Sequence, residues 1–474
     1  MNRWLAGHVF WPLTERMRGR STLHRFRELL RTQQCSADEI HTIQTRKLRR
    51  LLRSTDAHCP FYASRFRDAG LEVNDPGLDL DCLKSLPTLS KAAIRAHLAE
   101  MSWPGCPGGL KPYNTGGSSG EPLQFYIDRF RTAADAAARL RARTWWHVWP
   151  GDPEVLLWGA PIELKADDRL RQWRDALLNQ YVLNAFDLTD QSMDDDIASI
   201  HRRRPACLYG YPSSIALLAR HALRRGLRPG DLGSPNLRAI FVTGEVLLDH
   251  DREAIASAFG APVVIEYGCR DGGLLALECE ASSLHVPQEN VIVELLDAQG
   301  RPVADGQVGE VTVTHLEAIG MPIIRYRTGD EARLPANPAN ICACGRSSQI
   351  LAEVRGRLTD HIVCRVGGRL RRMHALSLIY VLREAEGVTQ FRIVQPSIDR
   401  LEVAVTADER FTPQVRQTVE DRLRQRLGPH VAINLTCHDH IAPTASGKHA
   451  CVISKVSADS LHDLESEAAP VLIS

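Results

Sequence analysis

Between residues 155 and 265 short apolar runs alternate with helical stretches, and this alternation restricts the possible fold more than any other feature of the chain. Val155-Leu156-Leu157-Trp158-Gly159-Ala160, Ala206-Cys207-Leu208-Tyr209, Leu237-Arg238-Ala239-Ile240-Phe241-Val242 and Val263-Val264-Ile265 read as buried strands. Helical patterns at 197–204, 213–225 and 249–259 separate them. Apolar runs joined by crossover helices predict a mostly parallel sheet covered by helices, an α/β domain. A further helix is predicted over 132–146. Residues 23–55, with Leu29, Leu30, Leu48, Leu51 and Leu52 at helical spacing, predict two amphipathic helices over a core.

From about residue 289 the texture changes to strands with tight turns, among them Val291–Leu296 and Gly309–Thr314, which predicts a small antiparallel β subdomain over 289–355. A second change falls at Gly356-Arg357. Beyond it come strands at 391–394, 401–405 and 431–435 and a helix at 413–427, a compact α+β unit. At 474 residues the chain exceeds one typical core. The expected division is a large domain over 1–356 and a small, mobile domain over 357–474, hinged near 357.

A net charge near +1 offers no bulk attraction for nucleic acid. No run of about eighteen apolar residues is present, so no transmembrane helix is expected. The apolar opening from Trp4 to Leu13 is short for a signal peptide and is expected to dock on the main domain. Twelve cysteines in a chain of this length suggest reduced thiols or metal ligands in the cytoplasm. The sequence fixes no oligomeric state; a homodimer is the candidate.

Several ligand-suited motifs follow one another. Tyr113-Asn114-Thr115-Gly116-Gly117-Ser118-Ser119-Gly120-Glu121-Pro122 combines glycines, which let backbone N–H groups approach an anion, with hydroxyls that turn to meet phosphate oxygens. It is not the phosphate loop that ends in Gly-Lys-Ser/Thr, because no lysine follows its last glycine. Thr243-Gly244-Glu245 and Glu266-Tyr267-Gly268-Cys269-Arg270-Asp271 follow apolar strands, where α/β sheets bind ligands. Arg325-Tyr326-Arg327-Thr328-Gly329-Asp330 offers a carboxylate to two ribose hydroxyls. Gly356-Arg357 and Pro443-Thr444-Ala445-Ser446-Gly447-Lys448 complete the series. Lysine occurs only at 47, 84, 91, 111, 165, 448 and 455, so Lys448 in a motif carries weight.

In their order and spacing these motifs resemble the adenylate-forming superfamily, in particular its phenylacetate–CoA-ligase-like and CapK-like branch, from about residue 40 to 455. The resemblance implies ATP, Mg2+ and CoA as co-reactants and a carboxylic acid as substrate. It implies that Thr115, Gly116, Gly117, Ser118, Ser119 and Gly120 hold the ATP phosphates and that Tyr267, between Glu266 and Gly268, stacks on adenine. Asp271 would help to hold Mg2+, and Asp330, supported by Arg357, would bind ribose. Lys448 would contact the carboxylate and the α-phosphate. Two departures stand out: the adenine motif ends in Arg270-Asp271 where Thr-Glu is usual, and Thr359-Asp360 shifts the expected hinge acid by a residue.

The acyl pocket is expected between Trp158-Gly159, Tyr209, Tyr211-Pro212 and Glu245, suited to an aryl or small acid. The acceptor stays open between CoA and an amine or sugar, and a catalytically silent nucleotide-binding protein is a third reading. Cys279, His285, Cys342 and Cys344 could together form a four-ligand structural Zn2+ site. A similar Cys-x-Cys-Gly-Arg segment occurs in some relatives of this branch.

Overall fold

The computed structural model of the chain describes residues 2–115, 123–158, 169–185, 190–228, 230–337, 342–357, 361–366, 369–374, 376–428, 430–442 and 452–456. These fall into two compact units, one ending at Gly356 and the other beginning at Arg357.

In the larger unit, β1 (Lys111–Asn114) and β2 (Gln124–Ile127) form an antiparallel hairpin on either side of the hydroxyl-and-glycine segment. Its base is closed by Thr115 N–H donating to Leu123 O at 3.0 Å and Leu123 N–H donating to Thr115 Oγ1 at 2.9 Å. The main sheet follows: β3 (Glu154–Leu157), β4 (Gln180–Leu183), β5 (Cys207–Gly210), β6 (Ala239–Thr243) and β7 (Val263–Cys269) run parallel in the order β4-β3-β5-β6-β7. Helices Asp190–Arg203, Pro212–Arg224 and Asp249–Phe259 pack against it through Ile200, Ile215, Leu218 and Ile255, all fully buried. This is the parallel α/β layer that the alternation predicts.

The sheet then reverses direction. β8 (Gly273–Glu278) and β9 (Leu284–His285) continue it antiparallel from β7. A second, antiparallel sheet holds β10 (Val291–Leu296), β11 (Val308–His315) and β12 (Tyr326–Arg333); β13 (Ile350–Leu351) returns to pair with β9, and β14 (Glu353–Arg357) adds to β12. Two features differ from the sequence reading. β4 was not anticipated, because this edge strand, with intermediate and exposed residues, carries an apolar run of only Tyr181-Val182-Leu183. β7 continues through Tyr267 to Cys269, so the tyrosine motif lies within a tight β7–β8 hairpin rather than beyond a strand end. Gly268 permits that hairpin: an added Cβ would stand 2.7 Å from Gly273 O.

The smaller unit contains the hairpin β15 (His361–Val366) and β16 (Arg369–His374) and a mixed sheet of β17 (Val388–Ser397), β18 (Arg400–Ala407), β19 (Ala432–Cys437) and β20 (Val452–Ser454), in the order β19-β18-β17-β20. The helix Pro413–Leu427 starts at a Thr412 cap with proline at its first turn and buries Val419, Leu423 and Leu427 over Ile393, Leu401 and Val403.

At the N-terminus, residues 3–17 are helical throughout, with a π turn at Ala6–Phe10. One side docks on the main unit, as the sequence reading expects: an added Cβ on Gly7 would meet Pro150 O at 2.4 Å, and Arg3 Nε lies 2.6 Å from Asp152 Oδ1.

Candidate active site

Tyr267 and Asp330, 63 residues apart in sequence, meet where β7 and β12 approach. The Tyr267 hydroxyl donates to Asp330 Oδ2 at 2.9 Å. Burial, then the neighbouring Asp330 carboxylate, raises the Tyr267 phenol well above its usual range, so it stays a protonated donor. Asp330 N–H donates in turn to Thr328 Oγ1 at 3.1 Å, which fixes the carboxylate's backbone. Beside this pair the Tyr326 hydroxyl donates to Asp271 Oδ2. Asp271 is 4% exposed and Asp330 7%, so the cluster is well sequestered.

Strand alternation sends Glu266 to the other side of β7 from Tyr267. There Arg139, from the helix Arg129–Trp145, holds it in a bidentate pair at 2.8 and 2.7 Å, and the Tyr209 hydroxyl donates to Glu266 Oε1 at 2.9 Å. Burial would raise the Glu266 carboxyl, but the Arg139 guanidinium overrides it and holds the group below its ordinary value. The guanidinium carbons of Arg139 and Arg143 lie 5.6 and 5.3 Å from the Tyr209 ring centre. Glu266 and Tyr209 therefore sit in one buried ionic network, with their polar groups engaged.

At the carboxyl ends of β3, β5 and β6, Trp158 stacks on Tyr211 with ring centres 4.4 Å apart and planes 18° from parallel. Tyr211 is buried just before the helix that Pro212 opens, and Ser213 N–H donates to Glu245 Oε2 at 3.2 Å. Trp158, Tyr211, Pro212 and Glu245 are thus together at one strand-end surface. Thr115 closes the base of the β1–β2 hairpin. Gly116 to Gly120, Gly159 and Lys448 lie outside the described residues, and Arg357 closes β14 with its side chain outside them.

The sequence reading missed the residues that hold the hairpin in place. Arg131 Nη2 donates to Arg270 O at 2.7 Å, and Asp135 Oδ1 accepts from Leu274 N–H at 3.2 Å while His315 Nε2 lies 3.1 Å away. These partners are 139 to 180 residues apart. Their only sequence signal is the repeated arginine in an alanine-rich helix.

Cys279, His285, Cys342 and Cys344 converge, with one ligand atom from each lying within 4.8 Å of the others. Cys279 Sγ is 3.7 Å from Cys342 Sγ, and Cys344 Sγ is 3.3 Å from His285 Nε2. The other ring nitrogen, His285 Nδ1, lies 2.9 Å from Ser348 Oγ, the kind of contact that orients a ligating imidazole. Burial, then the Arg346 charge, lowers His285 to about 4, which keeps the ring neutral and able to bind metal. Three sulfurs and one imidazole suit tetrahedral Zn2+ with no open position.

The comparisons agree with this architecture. A family model described as the CapK C-terminal domain matches residues 368–455. Protein CapK of Staphylococcus aureus is 22% identical over 93% of this chain and 94% of its own length. A phenylacetate-coenzyme A ligase of Thermus thermophilus is 23% identical over 81% of this chain and 84% of its own. Among solved structures, 2-hydroxyisobutyryl-CoA ligase in the postadenylation state, in complex with R3-HIB-AMP, is similar with a TM-score of 0.69 and 21% identity, covering 92% of this chain and 93% of that one. The amide bond synthetase McbA from Marinactinospora thermotolerans gives a TM-score of 0.51 at 19% identity, over 71% of this chain and 66% of that one. Residues 368–455 thus match the CapK C-terminal domain, and the chain as a whole is similar to CapK and to phenylacetate-coenzyme A ligase and shares the fold of the acid–CoA ligase structures.

Proposed function

We propose that the chain activates a small or aryl carboxylic acid with ATP, releasing pyrophosphate, and passes the acyl group from the acyl-adenylate to CoA. The observation that carries this reading is the contact of half-buried Tyr267 with buried Asp330, 2.9 Å apart, within this fold. It supports a tyrosine ring against adenine and a carboxylate on the ribose hydroxyls.

The carboxylate oxygen attacks the α-phosphorus, an already anionic centre, and pyrophosphate leaves. Positive charge is needed where the transition state gathers negative charge, and Lys448 supplies a compact ammonium for that purpose. Thr115 to Gly120 hold the leaving phosphates. Arg357 supports the ribose contact. Mg2+, when bound, neutralises phosphate charge. Asp271 fits a single-carboxylate share of its shell, with one oxygen beyond the one Tyr326 engages. Trp158, Tyr211 and Pro212 then form the apolar wall against the acyl group.

Incubation with ATP, an acid panel and CoA tests the second step. Acid-dependent AMP accompanied by thioester is expected. AMP without thioester, with acyl transfer to an amine or sugar instead, would replace the CoA reading with a non-CoA acceptor, a reading for which the likeness in fold to an amide bond synthetase leaves room.

The four-ligand cluster is proposed as a structural Zn2+ site that ties the segment at 279–285 to that at 342–344. Purified protein should carry about one zinc per chain by elemental analysis, and Cys342→Ser combined with Cys344→Ser should bring it near zero and lower Tm by several degrees. Full metal content in that variant would remove the site.

A further inference from the structure

Ten large apolar side chains are exposed among the described residues, and five of them, Trp4, Leu5, Val9, Leu13 and Met17, belong to the helical stretch at residues 3–17. Singly scattered apolar residues on a surface need no explanation. Four of these recur at intervals of four, with Trp4 beside the first, and so form a stripe on one helix. Met17 is 81% exposed and Trp4 59%. The docked side is fully committed: Ala6 is buried, Gly7 abuts Pro150, and Glu15 Oε2 accepts from Thr22 N–H at 2.9 Å. The helix is held with its stripe outward, and exposed Trp149 lies next in sequence to Pro150.

The charges around the stripe decide what covers it. Between residues 2 and 27 the one acidic residue is Glu15, and it is buried. Arg16 and Arg18 are exposed at the end of the helix, with Arg20 beyond them. Burial, followed by the nearby guanidinium groups of Arg174 and Arg20, lowers Arg18 below its ordinary value against the opposing pull of the Glu15 and Asp175 carboxylates, both themselves buried, so basic groups crowd here. A second copy seated across a two-fold axis would set arginine against arginine with no exposed carboxylate on the helix to receive them. An apolar layer fringed by anions matches both features.

We propose that the stripe seats the protein on a membrane surface rich in anionic lipid, the helix lying in the interface with Leu5, Val9, Leu13 and Met17 toward the acyl chains and the arginines among headgroups. No described helix is long and apolar enough to cross a membrane, so the contact proposed is a seat on the surface.

Co-sedimentation of the full chain with vesicles of phosphatidylcholine, alone or mixed with phosphatidylglycerol, tests this. Binding to the mixed vesicles should be at least about tenfold tighter and should weaken with salt. Val9→Glu combined with Leu13→Glu, both at exposed positions, should leave the thermal melt unchanged and cut that binding about tenfold or more. Arg16→Glu with Arg18→Glu should remove the preference for anionic vesicles. Absence of vesicle binding, equal binding to both vesicle types, or unchanged binding by the Val9/Leu13 variant would overturn the proposal. So would a dimer in light scattering that this variant dissociates while wild type ignores vesicles.

Discussion

Lys448→Ala is expected to lower carboxylate-dependent exchange of pyrophosphate into ATP by about a thousandfold, the scale seen when one donor aimed at developing charge is removed. The hydroxyl-and-glycine segment at 115–120 brings no lysine of its own, and only seven lysines occur in the chain, so a Gly-Lys motif in the smaller unit is the candidate for the missing cation. Folding should be nearly unaffected, and a thermal melt checks this. If Lys448 serves adenylation alone, the variant should still form thioester from preformed acyl-adenylate and CoA at close to the wild-type rate. Equal losses in both half-reactions, or normal exchange, would mean that the C-terminal motif has another task.

The second large effect concerns stability. Glu317, 1% exposed, accepts three cations: Arg25 at 2.9 Å, Lys47 at 2.7 Å and Arg50 at 2.7 Å. Burial would raise its carboxyl, but Lys47, Arg25 and Arg50 together bring it from 4.5 down to about 2. A group whose folded value is depressed contributes stability above its unfolded value and loses it as pH falls toward the folded one. That contribution is about 3 kcal/mol at neutral pH and is lost between about pH 4.5 and 2. Glu317→Gln should therefore destabilise the larger unit by about 3 kcal/mol or more at pH 7, since it also leaves three cations beside a neutral group. In urea titrations the gap between wild type and variant should narrow to about 1 kcal/mol by pH 3. A gap that stays constant with pH would show that the cations do not depend on this carboxylate.

The α/β layer was legible because strands apolar on both faces and their crossover helices leave a local periodic signal. The terminal unit was legible in part: the helix predicted at 413–427 is found as Pro413–Leu427, whereas the β15–β16 hairpin, the helix Leu376–Arg383 and β20 were not anticipated. The antiparallel reversal at β7–β8 was hidden, since the segment around Gly268 reads as a ligand loop until the register of the hairpin is known. Long-range ion pairs were also hidden: nothing near Glu266 in sequence announces Arg139, 127 residues away. Of the candidate site, the motifs were visible as residue types. The engagement of Glu266 and Tyr209 in a buried network and the direct Tyr267–Asp330 bond are products of packing. The N-terminal stripe was visible as apolar composition, but which side docks is set by Gly7 against Pro150 and by Arg3 with Asp152.

Acid activation by adenylation is open to direct test by exchange of labelled pyrophosphate into ATP over a panel of aryl and small carboxylic acids. Exchange should require one class of acid, proceed without CoA, and fall sharply in Asp330→Ala as well as Lys448→Ala. Folded protein that binds ATP yet shows no exchange with any acid would contradict it.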